Sequence, residues 1–258
     1  MENKTTNKVD NFVAQDEQPM KYTRRFIKIL EYILFCYELQ LADKQQYSQK
    51  ECEQNTSYGN RFEEYLTEHL VSYLQNNKQA LDFGNDEIDF EVRDDLKNSY
   101  RKDGKIKHQF IDIAFLGFLT KTERLTDFEG LTREQLYFGF EAKRVNKMNF
   151  VTQKAASNIP EYIEEVGKFL ENRDYQHRFL YEGMIGYIEQ IPKNIDKIIA
   201  DVSNALNKAT TTQNLKKFDL PNSNFEYCHL SKHTKNDENK TNKEIYHLFL
   251  NYSTMVVA

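Results

Sequence analysis

The chain has 258 residues, 39% hydrophobic and 29% charged, and its 35 Lys and Arg against 40 Asp and Glu leave a formal charge of −5. This is a globular composition on the polar side, long enough for a real core in one large domain or two small ones. The acidic balance does not mark a nucleic-acid binder, yet a local basic groove can coexist with it.

Residues 1–20 read as a disordered tail, polar and without the apolar h-region of a signal peptide. Residues 22–47 read as a leading helix, with Phe26, Ile29, Leu30, Ile33, Leu34, Tyr37 and Leu41 at helical spacing. Lys28, Glu31 and Glu38 break its apolar run, so no membrane span is expected. Ser48 to Tyr58 is a polar connector. NRFEEYLTEHLVSYLQNN (60–77) is a second helix, and EIDFEV (87–92) alternates as a half-exposed strand does. A basic turn, SYRKDGKIKH, leads into the strand FIDIAFLGF (110–118). Residues 119–135 are a loop or short helix, and YFGFEAKRV (137–145) is the next strand. VTQKAASNIPEYIEEVGKFLEN supplies helical material with Pro160 near a first turn. EGMIGYIEQI (182–191) is a buried strand, and Asn194 caps an amphipathic helix over 194–209. FEYCHLSKH and EIYHLFLNY form a closing strand pair. Cys36, Cys52 and Cys228 show no CxxC spacing, as in a reduced cytoplasmic protein, and Cys228, His229, His233 and His247 match no common zinc module. With no linker and no repeat, the chain reads as one mixed α/β domain over 21–258.

Three acids and a lysine stand out. Period two puts Asp112 on a face with Ala114 and Leu116, and Glu141 with Lys143 and Val145. Adjacent strands that each turn an acid onto one face need a cation between them, either a metal ion or Lys143. On the second helix, Glu63 falls at about 100° from Phe62, inside the stripe of Leu66, Leu70 and Leu74, whereas Glu64 points away near 200°. An acid in a buried stripe needs a partner, and Glu63 can join Asp112, Glu141 and Lys143. Such a set suits metal-assisted phosphodiester hydrolysis: carboxylates are hard ligands for Mg²⁺, the ion activates water, and the lysine balances charge on the transition state.

Asp112 in FIDIAF and Glu141-Ala142-Lys143 in FGFEAKRV resemble the motif of the PD-(D/E)XK, or restriction-endonuclease-like, nucleases. The acids are 29 residues apart, long for that family, and Ile111 rather than proline precedes the first acid. Glu63 resembles the acid that many members carry on the preceding helix. The resemblance covers roughly 60–191. It implies an αβββαβ core with a mixed central sheet, here with an extra N-terminal helix and a C-terminal strand pair. It also implies a Mg²⁺-dependent nuclease in which Mn²⁺ substitutes. Asp112, Glu141 and the Ala142 carbonyl would bind metal, and Lys143 would be the catalytic lysine. Gln153 and Lys154, at the start of the following helix, and Arg144 are candidate substrate contacts.

Blander readings stand beside these. Glu141 and Lys143 can be a solvated ion pair, Asp112 a strand-end acid, Glu63 a boundary carboxylate, and the run Arg101, Lys102, Lys105, Lys107 a solvated turn. The expected function is endonucleolytic cleavage of DNA in defence against foreign DNA, as restriction or anti-phage activity. A regulatory or DNA-delivering partner and a homodimer are compatible with it. The alternatives are a structure-specific repair or recombination nuclease and a non-catalytic nucleic-acid- or protein-binding module.

Overall fold

The first helix, α1, runs Asp10–Ala42 and buries Phe26, Ile29, Leu30, Ile33, Leu34 and Tyr37, six of the seven residues that the spacing aligns. Leu41, the seventh, is exposed near the end of the helix. The computed structural model describes residues 10–54, 61–81, 90–102, 105–118, 135–152, 154–170, 179–190, 194–209, 212–234 and 242–257. The expected tail is therefore helical from residue 10 onward, because extending a formed helix into polar sequence is far easier than starting one. The helix also stops short of residue 47: Lys44 takes a positive φ of 52°, and Tyr47 enters a short strand.

The remaining helices are α2 (Gln49–Gln54), α3 (Phe62–Asn76), α4 (Ile159–Leu170) and α5 (Ile195–Ala209). The strands are β1 (Tyr47–Ser48), β2 (Phe90–Lys102), β3 (Lys105–Phe118), β4 (Gln135–Asn149), β5 (Lys154–Ser157), β6 (Phe179–Ile188), β7 (Thr212–Lys217), β8 (Cys228–Thr234), β9 (Asn242–Asn251) and β10 (Val256–Val257). β1 and β10 pair in parallel. The other eight form one sheet in the order β2-β3-β4-β6-β9-β8-β7, with β5 beside β4. Its orientation is mixed: β4–β6 and β6–β9 are parallel, the rest antiparallel.

Successive residues of the central strands enter different cores, which shows that helices cover both faces. Ile185, Tyr187, Tyr246, Leu248 and Leu250 pack with α1 and α3. Met184, Ile188, Ile245 and Phe249 pack with α4 and α5. Gly183 lets β6 pass beneath its neighbour, since a Cβ there would lie 2.4 Å from the Phe140 ring.

Four expectations change. The basic turn is the tip of a long hairpin whose ladder continues to Lys102↔Lys105. The connector after Ser48 contains α2. The helical material after the YFGFEAKRV strand begins as a strand: Asn149 Oδ1 accepts the N–H groups of Val151 and Thr152 at 3.1 and 2.8 Å, and this turn folds β5 back on β4. The closing strands are not a separate pair, because β9 joins β6 and continues the central sheet. The segment 119–134 and residue Gln153 lie outside the described residues. Among the described residues no helix is long and apolar enough to cross a membrane, and Cys36, Cys52 and Cys228 are free and buried.

Candidate active site

The site is built where two strands part. β3 and β4 pair from Phe118↔Gln135 to Ile113↔Phe140, and β5 takes up pairing with β4 from Asn146 to Asn149. Between these two partners Ala142 and Arg144 point their N–H groups to the same edge, because alternate residues of a strand share an edge. Carboxylates fill the gap. Asp112 Oδ2 accepts Ala142 N–H at 2.7 Å, and Glu63 Oε2 accepts Arg144 N–H at 2.9 Å.

Lys143 sits between these acids. Its Nζ donates to Glu63 Oε1 at 2.6 Å and lies 4.0 Å from Asp112 Oδ2. Glu63 arrives from the first turn of α3, which Thr67 ties to the sheet through the Glu63 carbonyl and the Tyr187 hydroxyl. Its neighbour Glu64 pairs instead with exposed Arg61. Thus Glu63, Asp112, Glu141 and Lys143 converge, and the Ala142 carbonyl faces the same edge as its N–H.

The electrostatics mark a carboxyl pair that does not ionise freely. Burial pushes Asp112 up to about 6, against the lowering pull of Lys143 and the Ala142 N–H. Burial and the Asp112 charge push Glu141 well above the carboxylate range, and the two carboxyls hydrogen-bond to each other. Burial works against the Lys143 ammonium, but Asp112 and Glu63 outweigh it and hold its pKa above the ordinary value. One cation and one shared proton therefore balance three acids.

The substrate contacts expected from sequence are placed otherwise. The Arg144 guanidinium is held by both oxygens of buried Glu189 and stacks 5.2 Å over the Phe62 ring, so it is a structural partner of β6 rather than an open contact. Lys154 opens β5 and is exposed. The side chains of Arg101, Lys102, Lys105 and Lys107 lie outside the described residues.

No protein-family model, curated protein or solved structure matches the chain. Among the described residues there is no cluster of three or more His, Cys, Asp or Glu placed to hold a metal. His247 is bonded at both ring nitrogens, to Tyr162 Oη and to Ser231 Oγ, each at 2.7 Å, and Ser231 also meets His233 Nε2 at 2.7 Å. Burial keeps both histidines neutral, His247 well below its usual range and His233 lowered to about 4.

Glu189 and Asn146 were not found by reading the sequence. An acid closing the apolar strand EGMIGYIEQI was the available signal for Glu189. Asn146 carried none, because its position depends on a strand irregularity described below.

Proposed function

We propose that this protein is a divalent-metal-dependent nuclease that hydrolyses DNA phosphodiester bonds. The observation that carries the reading is the meeting of Asp112, Glu141, Lys143 and Glu63 at a break in the sheet. Further support comes from the run α3, β2, β3, β4, α4, β6, with β4 and β6 parallel, which is the element order expected of the restriction-endonuclease-like core.

The donors fit a hard cation. Asp112, Glu141 and the Ala142 carbonyl offer only oxygen, and two hydrogen-bonded carboxyls mark a place where a positive species is favoured. These residues would hold Mg²⁺ or Mn²⁺, which supplies Lewis-acid polarisation of the phosphate and a more acidic bound water. Lys143 keeps its proton and places positive charge beside the scissile phosphate, where charge develops. Glu63 positions Lys143 and fixes the β4 backbone at Arg144, so it acts through the lysine rather than on substrate.

One observation favours the second reading, a non-catalytic module. Asp112 and Glu63 both satisfy strand N–H groups, a structural duty that needs no chemistry. Plasmid cleavage in Mg²⁺ separates the readings. Glu141→Ala and Lys143→Ala, with unchanged far-UV spectra, are expected to lose at least about 100-fold in rate, the scale of losing one charge-stabilising group. Wild-type rates in either variant refute the site, and no cleavage by the wild type favours the module.

A further inference from the structure

We propose that a pocket between β4, β5 and the first turns of α4 and α5 is a nucleobase subsite that takes one unstacked base carrying an exocyclic amino group. The proposal rests on the nuclease reading for the source of its ligand.

The pocket exists because β4 is irregular. Pairing of β4 with β6 slips between Arg144↔Tyr187 and Asn146↔Ile188, which leaves one extra residue on β4. The bulge is pinned from two sides. The Val145 carbonyl accepts Asn158 N–H at 2.9 Å, and the Asn146 carbonyl accepts Glu189 N–H at 3.0 Å. Neighbouring strand residues normally face opposite sides of a sheet, yet Val145 and Asn146 line the same pocket. Re-aiming a side chain in this way is what a bulge accomplishes beside functional sites.

The re-aimed group is unusual. Asn146 is 6% exposed, and its Oδ1 has no hydrogen-bond partner among the described residues. Buried amide oxygens are rarely left so, and an unmet acceptor in a cavity wall marks a place for a donor. The walls beside it are apolar, from Val145, Ile159 and Ile198. At the mouth stand Lys197 and Asp201, exposed and one turn apart on α5. Lys197 has no ion pair among the described residues, so it is available to a phosphate.

Size and position narrow the occupant. The volume of about 260 Å³ is below the roughly 300–1,000 Å³ of pockets that enclose drug-sized ligands. Apolar flanks with an amide at one edge suit a planar heterocycle read along that edge. An amino group can donate to Asn146 Oδ1 or to the Asp201 carboxylate, and thymine and uracil lack one. Asn146 lies five residues along β4 from Glu141, about 16 Å at roughly 3.3 Å per residue. That span is about five base steps of a duplex at ~3.4 Å each, so one nucleic acid can reach both. A free nucleotide presents the same chemistry, and the experiment separates the two sources.

Titrate metal-free protein with dAMP, dCMP, dGMP and TMP, then with oligo(dA), oligo(dC) and oligo(dT) eight-mers, by calorimetry and amide chemical shifts. At least one amino-bearing monophosphate should bind saturably and at least 10-fold more tightly than TMP. Asn146→Leu should erase that preference. Lys197→Ala, an exposed change that keeps the test alive if the first variant misfolds, should weaken all four several-fold without altering their order. Tighter oligonucleotide binding with the same base order identifies the strand as the ligand, and monophosphate binding without it identifies a free nucleotide. Equal binding of the four, no binding, or an unchanged preference in Asn146→Leu overturns the subsite. Lys143→Ala should bind as wild type does. If the wild type binds bases but cuts no plasmid, the subsite stands and the nuclease reading falls.

Discussion

Glu63→Ala removes two interactions with one side chain: the acceptor for Arg144 N–H and the partner of the Lys143 ammonium. The Lys143 side chain is 18% exposed, so water can replace the lost carboxylate only in part. Breaking a buried ion pair from one side destabilises by about 3–5 kcal/mol, and a stranded N–H by about 1–3 kcal/mol. Because both partners keep some contact with solvent, the loss should sit near the low end, about 3 kcal/mol. At roughly 2–4 °C per kcal/mol for a chain of this size, the melting temperature should fall by about 6–12 °C. Glu63→Gln keeps one acceptor and should lose about half as much. The control is Glu64→Ala: its partner Arg61 is 75% exposed, and such pairs contribute less than about 1 kcal/mol. Thermal melts in metal-free buffer read all three. If Glu63→Ala melts alongside Glu64→Ala, the carboxylate does not close the gap in the sheet and the described geometry is wrong.

Glu141→Gln should raise the metal-free melting temperature, and the gain should grow with pH. The native pKa of Glu141 lies well above its unfolded value, so wild-type stability is greatest at low pH and is lost as pH rises past about 4.5. A gain that stays flat between pH 5 and 8 contradicts this, and saturating Mg²⁺ should shrink the gain. The buried histidines act with the opposite sign. His233 is lowered from 6.5 to about 4, so the unfolded chain takes up the proton first and stability is lost as pH falls from 6.5 toward 4. His233→Asn should flatten that acid limb in pH-dependent melts, and an unchanged limb would show that His233 does not cause it.

Much of the fold was legible because its signals were periodic. The buried stripe of α1, the stripe of α3 and the alternation in FIDIAFLGF lie within elements of the expected type. The side chain of Asn194 accepts Asp196 N–H at 2.8 Å, as a helix cap should. The same angular argument separated Glu63 from Glu64, which do go to different partners. Legibility failed where a few residues decided the structure. β5 is four residues of small and polar character, and the Asn149 turn rather than its own propensity makes it a strand. The attachment of β9 to β6 is a long-range pairing, and hydrophobic alternation says nothing about which strand is the neighbour. Strand period put Glu141 and Lys143 on one face, but it could not show that side chains replace backbone partners at Ala142 and Arg144. It also gave no sign that a bulge would turn Asn146.

The small β1–β10 pair has a consequence for how the protein is made. It matches Tyr47 with Val256, and Tyr47 N–H also donates to the Met255 carbonyl at 2.7 Å. Tyr47 further stacks against Tyr65 and Tyr252, linking α3 to residues that follow β9. On the ribosome, α1, α3 and the first strands emerge long before those partners. The helical layer that carries Glu63 therefore cannot be locked until the stretch near residue 256 has been translated, a contact of high sequence separation that slows folding. Until that closure the acids and Lys143 need not be assembled, so a nascent chain should remain inactive until its last strand is in place.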